Sequence, residues 1–175
     1  MKGLVHIYTG DGKGKTTAAL GLGMRAYGRG LKVLLIQFLK GAFTGEIETI
    51  KKLEPGFMIH RGEEIKKFTC DMNEKELEEA KRVQLRILNF AKDEILKGNR
   101  DVIILDEIMA AISMGMVDLK DVEELIKSKP ERLEILMTGR DAPKELIELS
   151  DYVSEINAIK HPMDKGTKGR IGIES

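Results

Sequence analysis

Eight consecutive residues, Gly10-Asp11-Gly12-Lys13-Gly14-Lys15-Thr16-Thr17, carry the clearest chemistry in this chain. An apolar run, Leu4 to Tyr8, precedes them, and helix-forming residues, Ala18-Ala19-Leu20, follow. Strand, glycine-rich turn and helix start in that order make the context a P-loop requires. Glycines let successive backbone N–H groups turn inward around phosphate oxygens, and the helix N-terminus adds partial positive charge. Lys15 is placed to reach the phosphates of a nucleoside triphosphate, and the Thr16 hydroxyl to ligate a divalent cation, Mg²⁺ or Mn²⁺. The strict pattern has glycine five positions before Gly14, where this chain has Thr9, so the loop is a variant.

A second constellation is Asp101-Val102-Ile103-Ile104-Leu105-Asp106-Glu107, an apolar strand ending in two acids, of the Walker B type. In a parallel sheet such a strand end lies beside the P-loop, so Asp106 or Glu107 can orient the metal directly or through water. The competing assignment is a pair of acids capping the next helix. Thr138-Gly139-Arg140 follows another apolar run, Leu133 to Met137, and suits either a phosphate contact or a plain turn with a surface arginine. His161, in Lys160-His161-Pro162, is assigned no role. No water-positioning residue or arginine finger stands out, so these residues imply a Mg-ATP site and leave the reaction open.

Positioning them requires an α/β fold, a three-layer P-loop NTPase (RecA-like) arrangement with a mostly parallel sheet of about six strands. The predicted strands are Leu4 to Tyr8, Lys32 to Phe38, Phe57 to His60, Asp101 to Leu105, Leu133 to Met137 and Tyr152 to Ile156, alternating with amphipathic segments. The longest helix is predicted from Asn73, at capping-box spacing from Glu76, to Gly98. Leu77, Ala80, Ile87, Ala91 and Ile95 then share a face, and the charged run Glu74 to Arg82 faces solvent. Asp118 and Asp141 are expected to cap two later helices, the second with Pro143 in its first turn. Irregular stretches at 39–45 and 61–72 follow strands, where ligands bind in such sheets. From 157 to 175 the chain is polar and glycine-rich and reads as an extended tail.

With 175 residues, 42% apolar, the chain fits one globular domain, 1–175. Basic and acidic residues balance at 29 each, so no global field favours nucleic acid or an anionic membrane. The longest apolar stretch, Val33 to Leu39, falls far short of the roughly 20 residues a membrane span needs. Met1 to Tyr8 has no signal-peptide pattern, and the single Cys70 fits no disulfide or metal spacing, so a cytoplasmic protein without zinc is expected.

Taken together, the blocks Thr9 to Ala19, Gln37-Phe38-Leu39-Lys40-Gly41, Leu105-Asp106-Glu107, Thr138-Gly139-Arg140, Asp151-Tyr152-Val153-Ser154-Glu155 with Lys160-His161, and the tail Gly166 to Ile173 resemble the P-loop type of ATP:corrinoid adenosyltransferase. That family acts on cob(I)alamin and cob(I)yrinic acid a,c-diamide in the cobalamin pathway. The resemblance implies ATP lying reversed in the loop, with Co(I) of the reduced corrinoid attacking the 5′ carbon and triphosphate leaving. It implies Gly10, Asp11, Gly12, Lys13, Gly14, Lys15, Thr16 and Thr17 on the phosphates, and Thr16 with Asp106 or Glu107 on the metal. Catalytic roles would fall to Lys15, Thr16 and Glu107, while Arg25 serves the nucleoside side, Gln37 to Gly41 (Lys40 included) line the cleft and Arg140 contacts phosphate. Phe68 matches an aromatic that the family sets against the corrin. Cys70 stands where a second aromatic falls, and the chain has no tryptophan; either Phe68 suffices, or another apolar residue such as Phe43 or Met72 covers the lower face. A homodimer and a reducing partner such as a flavoprotein are also implied. The chain starts at its first strand, so the site is expected to be open or covered by a partner subunit's tail. A small-molecule kinase or ATPase, and a non-catalytic nucleotide-gated corrinoid carrier, are the alternatives.

Overall fold

A computed structural model describes residues 2–40, 44–62, 72–162, 166 and 169–173. In chain order the elements are β1 (Val5–Thr9), α1 (Lys15–Tyr27), β2 (Val33–Gln37), α2 (Gly45–Lys51), β3 (Phe57–Arg61), α3 (Glu74–Lys97), β4 (Val102–Asp106), α4 (Ile108–Ser113), α5 (Leu119–Lys127), β5 (Glu134–Thr138), α6 (Lys144–Leu149) and β6 (Tyr152–Glu155). All six predicted strands form, within about a residue of the predicted ends. They make one sheet in the order β3-β2-β4-β5-β1-β6, with every pairing parallel.

Strand alternation sorts the apolar side chains into two cores. Leu34, Ile36, Ile103 and Leu105 face a cluster with Val83 and Ile87 of α3, Ile108 of α4, Val122 of α5 and Leu146 of α6. Val33, Leu35, Val102 and Ile104 face Ala19 and Ala26 of α1, Ile50 and Phe57. Because both faces of β2 and β4 are covered, every residue of these strands is buried, which explains their unbroken apolar runs. Gly23 lets α1 lie close: a Cβ there would stand 3.1 Å from both Ile104 and Phe57 side chains.

The long helix keeps its predicted caps. Asn73 Oδ1 accepts from Glu76 N–H at 3.0 Å, Glu76 accepts from Asn73 N–H at 2.9 Å, and Gly98 closes the helix at φ 63°. Ala80, Ile87, Ala91 and Ile95 are buried as expected, joined by Val83 and Leu88, but Leu77 stays 44% exposed, lining a surface groove with Met114 and Met116. Asp118 caps α5 by accepting from Lys120 N–H. Asp141 does not cap α6. The turn after β5 puts Asp141 at φ 51° and sends Ala142 N–H to Thr9 Oγ1, so the helix starts two residues later behind Pro143.

All six strands share one direction, so their C-terminal ends, and the turns that follow them, meet along one edge of the sheet. That edge carries Gly10 to Thr17 after β1, Lys40 after β2, Glu107 after β4 and Arg140 after β5.

Asn73→Ala should lower unfolding stability by about 1 kcal/mol, with Asn73→Asp restoring most of it. Denaturant unfolding followed by far-ultraviolet circular dichroism checks both.

Candidate functional site

The variant at Thr9 has a structural reason. Thr9 is still part of β1, 8% exposed, and its hydroxyl accepts the Ala142 N–H, so the phosphate loop begins only at Gly10. The loop is braced against the end of β6: Gly12 N–H donates to Ile156 O at 2.7 Å, and Ile156 N–H to Thr9 O at 2.8 Å. A Cβ at Gly10 or Gly12 would come within 2.5 and 2.7 Å of that Ile156 oxygen. Gly10 at φ 96° and Gly14 at φ 123° also occupy the left-handed half of backbone space, which glycine enters without steric cost.

Gly14 precedes α1 and brings no side chain to its N-terminus, and no acid lies in the first turn. The leading amides and the positive end of a helix 13 residues long therefore remain available to an anion. Lys15 Nζ meanwhile donates to the carbonyls of Gly10 at 2.6 Å and Gly12 at 2.9 Å. Burial, and then Arg140, lower its pKa, against the opposing fields of Glu107 and Asp11. An entering phosphate would exchange those carbonyls for full negative charge.

Asp106 ends β4 with no exposure at all. Its Oδ1 accepts from the hydroxyls of Thr16 (2.8 Å) and Thr138 (2.7 Å), and its Oδ2 from Gln37 Nε2 (3.1 Å) and Lys40 Nζ (2.6 Å). A carboxylate offers about four lone-pair sites, and these partners occupy them. Glu107 takes φ 63° and gives its N–H to Thr138 Oγ1 at 3.0 Å. That left-handed turn sends its side chain into the cavity instead of into the sheet. Burial first, then Asp106 beside it, raise the Glu107 pKa, while Lys40, Lys15 and Arg140 pull it down.

These groups border a cavity of about 570 Å³, a size that suits a nucleotide. Loop residues 11–17 form one wall, Lys40, Thr44 and Glu46 another, and Glu107 with Arg140 the rest, while His161 and Ile173 come from the tail. Of the predicted site residues, Asp11 to Thr17, Lys40, Glu107 and Arg140 thus share one cavity. Gly10 stands behind it, holding Lys15, and Gln37 stands behind it, fully buried against Asp106. Arg140 is exposed, its Nε 3.8 Å from Asp11 Oδ1, a contact worth little in water.

Arg25 does not join this group. It lies exposed in the last turn of α1, about 15 Å along the helix from Lys15 at 1.5 Å per residue. Phe68, with Cys70, Gly41 and Phe43, lies outside the described residues. Glu46 and Thr44 were missed in the sequence; the signal for them was the irregular stretch after β2 running into Thr44-Gly45-Glu46, a helix start at the ligand edge of the sheet. Among the described residues no group of three His, Cys, Asp or Glu side chains is arranged to hold a metal ion, and no helix is long and apolar enough to cross a membrane.

The sequence model of the family described as ATP:corrinoid adenosyltransferase BtuR/CobO/CobP matches residues 1–175. A corrinoid adenosyltransferase of Escherichia coli strain K12 is 33% identical over 174 residues, which cover 99% of this chain and 86% of that relative. One from a Sinorhizobium species is 34% identical over 179 residues, 99% of this chain and 80% of the relative. The corrinoid adenosyltransferase CobA of Salmonella typhimurium is 30% identical over 174 residues, with 99% and 86% covered. A cradle for a triphosphate, an α/β sheet that carries it and a match along the whole chain agree: this chain belongs to the ATP:corrinoid adenosyltransferase family.

Proposed function

We propose that the cavity holds ATP by its triphosphate and presents the 5′ carbon to the Co(I) of a reduced corrinoid, cob(I)alamin or cob(I)yrinic acid a,c-diamide. The cobalt electron pair forms the Co–C5′ bond as the C5′–O bond breaks, and triphosphate leaves. The observation that carries this is the convergence of Lys15, the open N-terminus of α1 and the Gly10 to Thr17 amides on one cavity, in a chain of this family. Groups so placed stabilise charge gathering on a leaving triphosphate more than they stabilise bound ATP, which is what accelerates a displacement. The nucleophile belongs to the substrate, so the protein needs no serine, cysteine or histidine attack.

Thr16 and Glu107 bring oxygen ligands to the cavity, and a hard divalent ion such as Mg²⁺ or Mn²⁺ suits them. One buried acceptor beside Asp106, Gln37 Oε1, has no partner, as expected where a bound cation brings water. Thr16 and Glu107 would hold the metal, with Asp106 behind Thr16 as an outer carboxylate whose lone pairs are already engaged. When bound, it would neutralise phosphate charge. Arg140, with its guanidinium at the rim, supplies a phosphate contact. Arg25, outside the cavity lining, is given the nucleoside side by family resemblance alone. A homodimer and a flavoprotein reductant complete the proposal by family resemblance.

Mixing the protein with Mg-ATP and a chemically reduced corrinoid should yield a light-sensitive cobalt–carbon bond and free triphosphate. ADP and orthophosphate, formed without corrinoid, would show a kinase or ATPase instead, and tight corrinoid binding without turnover a carrier. Lys15→Ala should lower kcat by on the order of 10²-fold or more, read in the same assay; near-normal turnover would remove the loop from the chemistry. Because the folded Glu107 carboxyl titrates above its unfolded range, its contribution to stability is complete below that range and is lost as pH rises through the folded value. Unfolding of nucleotide-free Glu107→Gln across mildly acid to neutral pH should lack this decline, and an unchanged profile would refute the burial of that charge.

A further inference from the structure

Asp106 is sealed from water, and of the donors on its oxygens Thr16, Thr138 and Gln37 are neutral while Lys40 is a cation. A buried carboxylate left with neutral partners alone is costly, so this ion pair at 2.6 Å carries much of its neutralisation. Lys40 lies beyond the end of β2 and is aimed by side chains from two other elements. Leu39 takes φ 57°, unusual for a residue with a side chain, and its N–H is held by Gln84 Oε1 at 3.0 Å. Gln84 belongs to α3 and is 1% exposed. Arg61, at the end of β3, donates from Nη2 to the Lys40 carbonyl at 3.0 Å. A strained turn, a buried glutamine and an arginine thus fix one lysine over one carboxylate.

The lysine is not sealed in with its partner. Its side chain is 25% exposed against 0% for Asp106, and it lines the cavity with Lys15 and Glu107. The neighbouring acceptor, Gln37 Oε1, stays buried without a donor while Lys40 is in place. Water carried by a cation would supply that donor and reach Asp106 Oδ2 together. The ammonium and that water cannot both stand at Oδ2, and two cations so close repel in a medium that screens poorly.

We propose that Lys40 is a resident counter-cation for Asp106, which in the nucleotide-free enzyme takes the place at Oδ2 of a water carried by the metal that Thr16 and Glu107 would hold, and yields it when the metal nucleotide enters. The displaced ammonium has the cavity to turn into, where it joins Lys15 on the triphosphate. The proposal rests on the assignment of this cavity to a metal triphosphate but not on what attacks the 5′ carbon.

The test uses nucleotide-free protein, Mn²⁺ as the metal and inorganic tripolyphosphate as the anion. Free Mn²⁺ is counted by electron paramagnetic resonance, and stability by thermal unfolding. Wild type should bind Mn²⁺ weakly on its own. Lys40→Met should melt lower without metal, bind Mn²⁺ about tenfold tighter or more, and recover its Tm when Mn²⁺ is added. With Mn²⁺ present, it should bind tripolyphosphate about tenfold more weakly. Lys40→Arg, which keeps the charge, should stay near wild type in all three. Gln84→Leu frees the turn without removing the lysine and should show a smaller gain in Mn²⁺ affinity, which keeps the test usable if Lys40→Met does not fold. Unchanged Mn²⁺ affinity in Lys40→Met, or in Gln84→Leu should Lys40→Met not fold, would overturn the proposal. So would a gain that persists in Lys40→Met with Asp106→Asn, since the metal would then bind elsewhere. No corrinoid enters these measurements, so a failure of adenosyl transfer and a failure of this exchange are told apart.

Discussion

A carboxylate with no access to water must be neutralised by the protein around it, and Asp106 draws its partners from several elements at once. Thr16 comes from the first turn of α1, Gln37 from the end of β2, Lys40 from the turn beyond it and Thr138 from the end of β5. Leaving such a buried carboxylate without its cation costs up to about 3–5 kcal/mol, less what the part-exposed lysine already shares with water, a large fraction of the stability of a domain this size. The cluster therefore ties the P-loop helix to the two strands that flank β4. It also fixes the distance between the loop that cradles phosphate and the acid that faces it.

From that constraint the shape of the site follows. Thr138 Oγ1 donates to Asp106 and accepts from the amide of Glu107, so the same hydroxyl that completes the buried cluster holds the left-handed turn. Two adjacent acids are thereby sent to different environments, one into the sheet with its lone pairs engaged, the other into the cavity with a raised pKa. Lys15 rests on loop carbonyls and Lys40 on Asp106. Lys15 and Lys40 thus already hold oxygen acceptors, and on these two side chains a polyanion would redistribute bonds that exist. This is preorganisation of the kind that serves a leaving group.

Membership of the family and the chemistry of the loop support each other, the loop being one of several blocks that the family match spans. A P-loop by itself is compatible with many reactions. What narrows it is the ordered set of blocks along the whole chain, which the family match spans from 1 to 175. The relatives are longer than the matched region by the share that 86% and 80% coverage leaves.

The chain alone determined whatever depends on neighbours in sequence. Apolar runs rich in Val, Ile and Leu announced the strands, and Asn73 with Glu76 and Gly98 announced both ends of α3, because strand patterning and helix capping act over a few residues. The glycines and Lys15-Thr16 of the loop were legible for the same reason. Tertiary structure decided what depends on which atoms meet. Asp106 and Glu107 look interchangeable in sequence, and only a hydroxyl from β5, 31 residues after Glu107, separates their roles. Gln84 reads as an ordinary helical residue until α3 packs its amide against the turn of Leu39, 45 positions earlier. Arg25 sits near the loop in sequence, yet a helix rises about 1.5 Å per residue and carries it away. Local periodicity prescribes the elements; the partners of a buried charge are set only when the elements close around it.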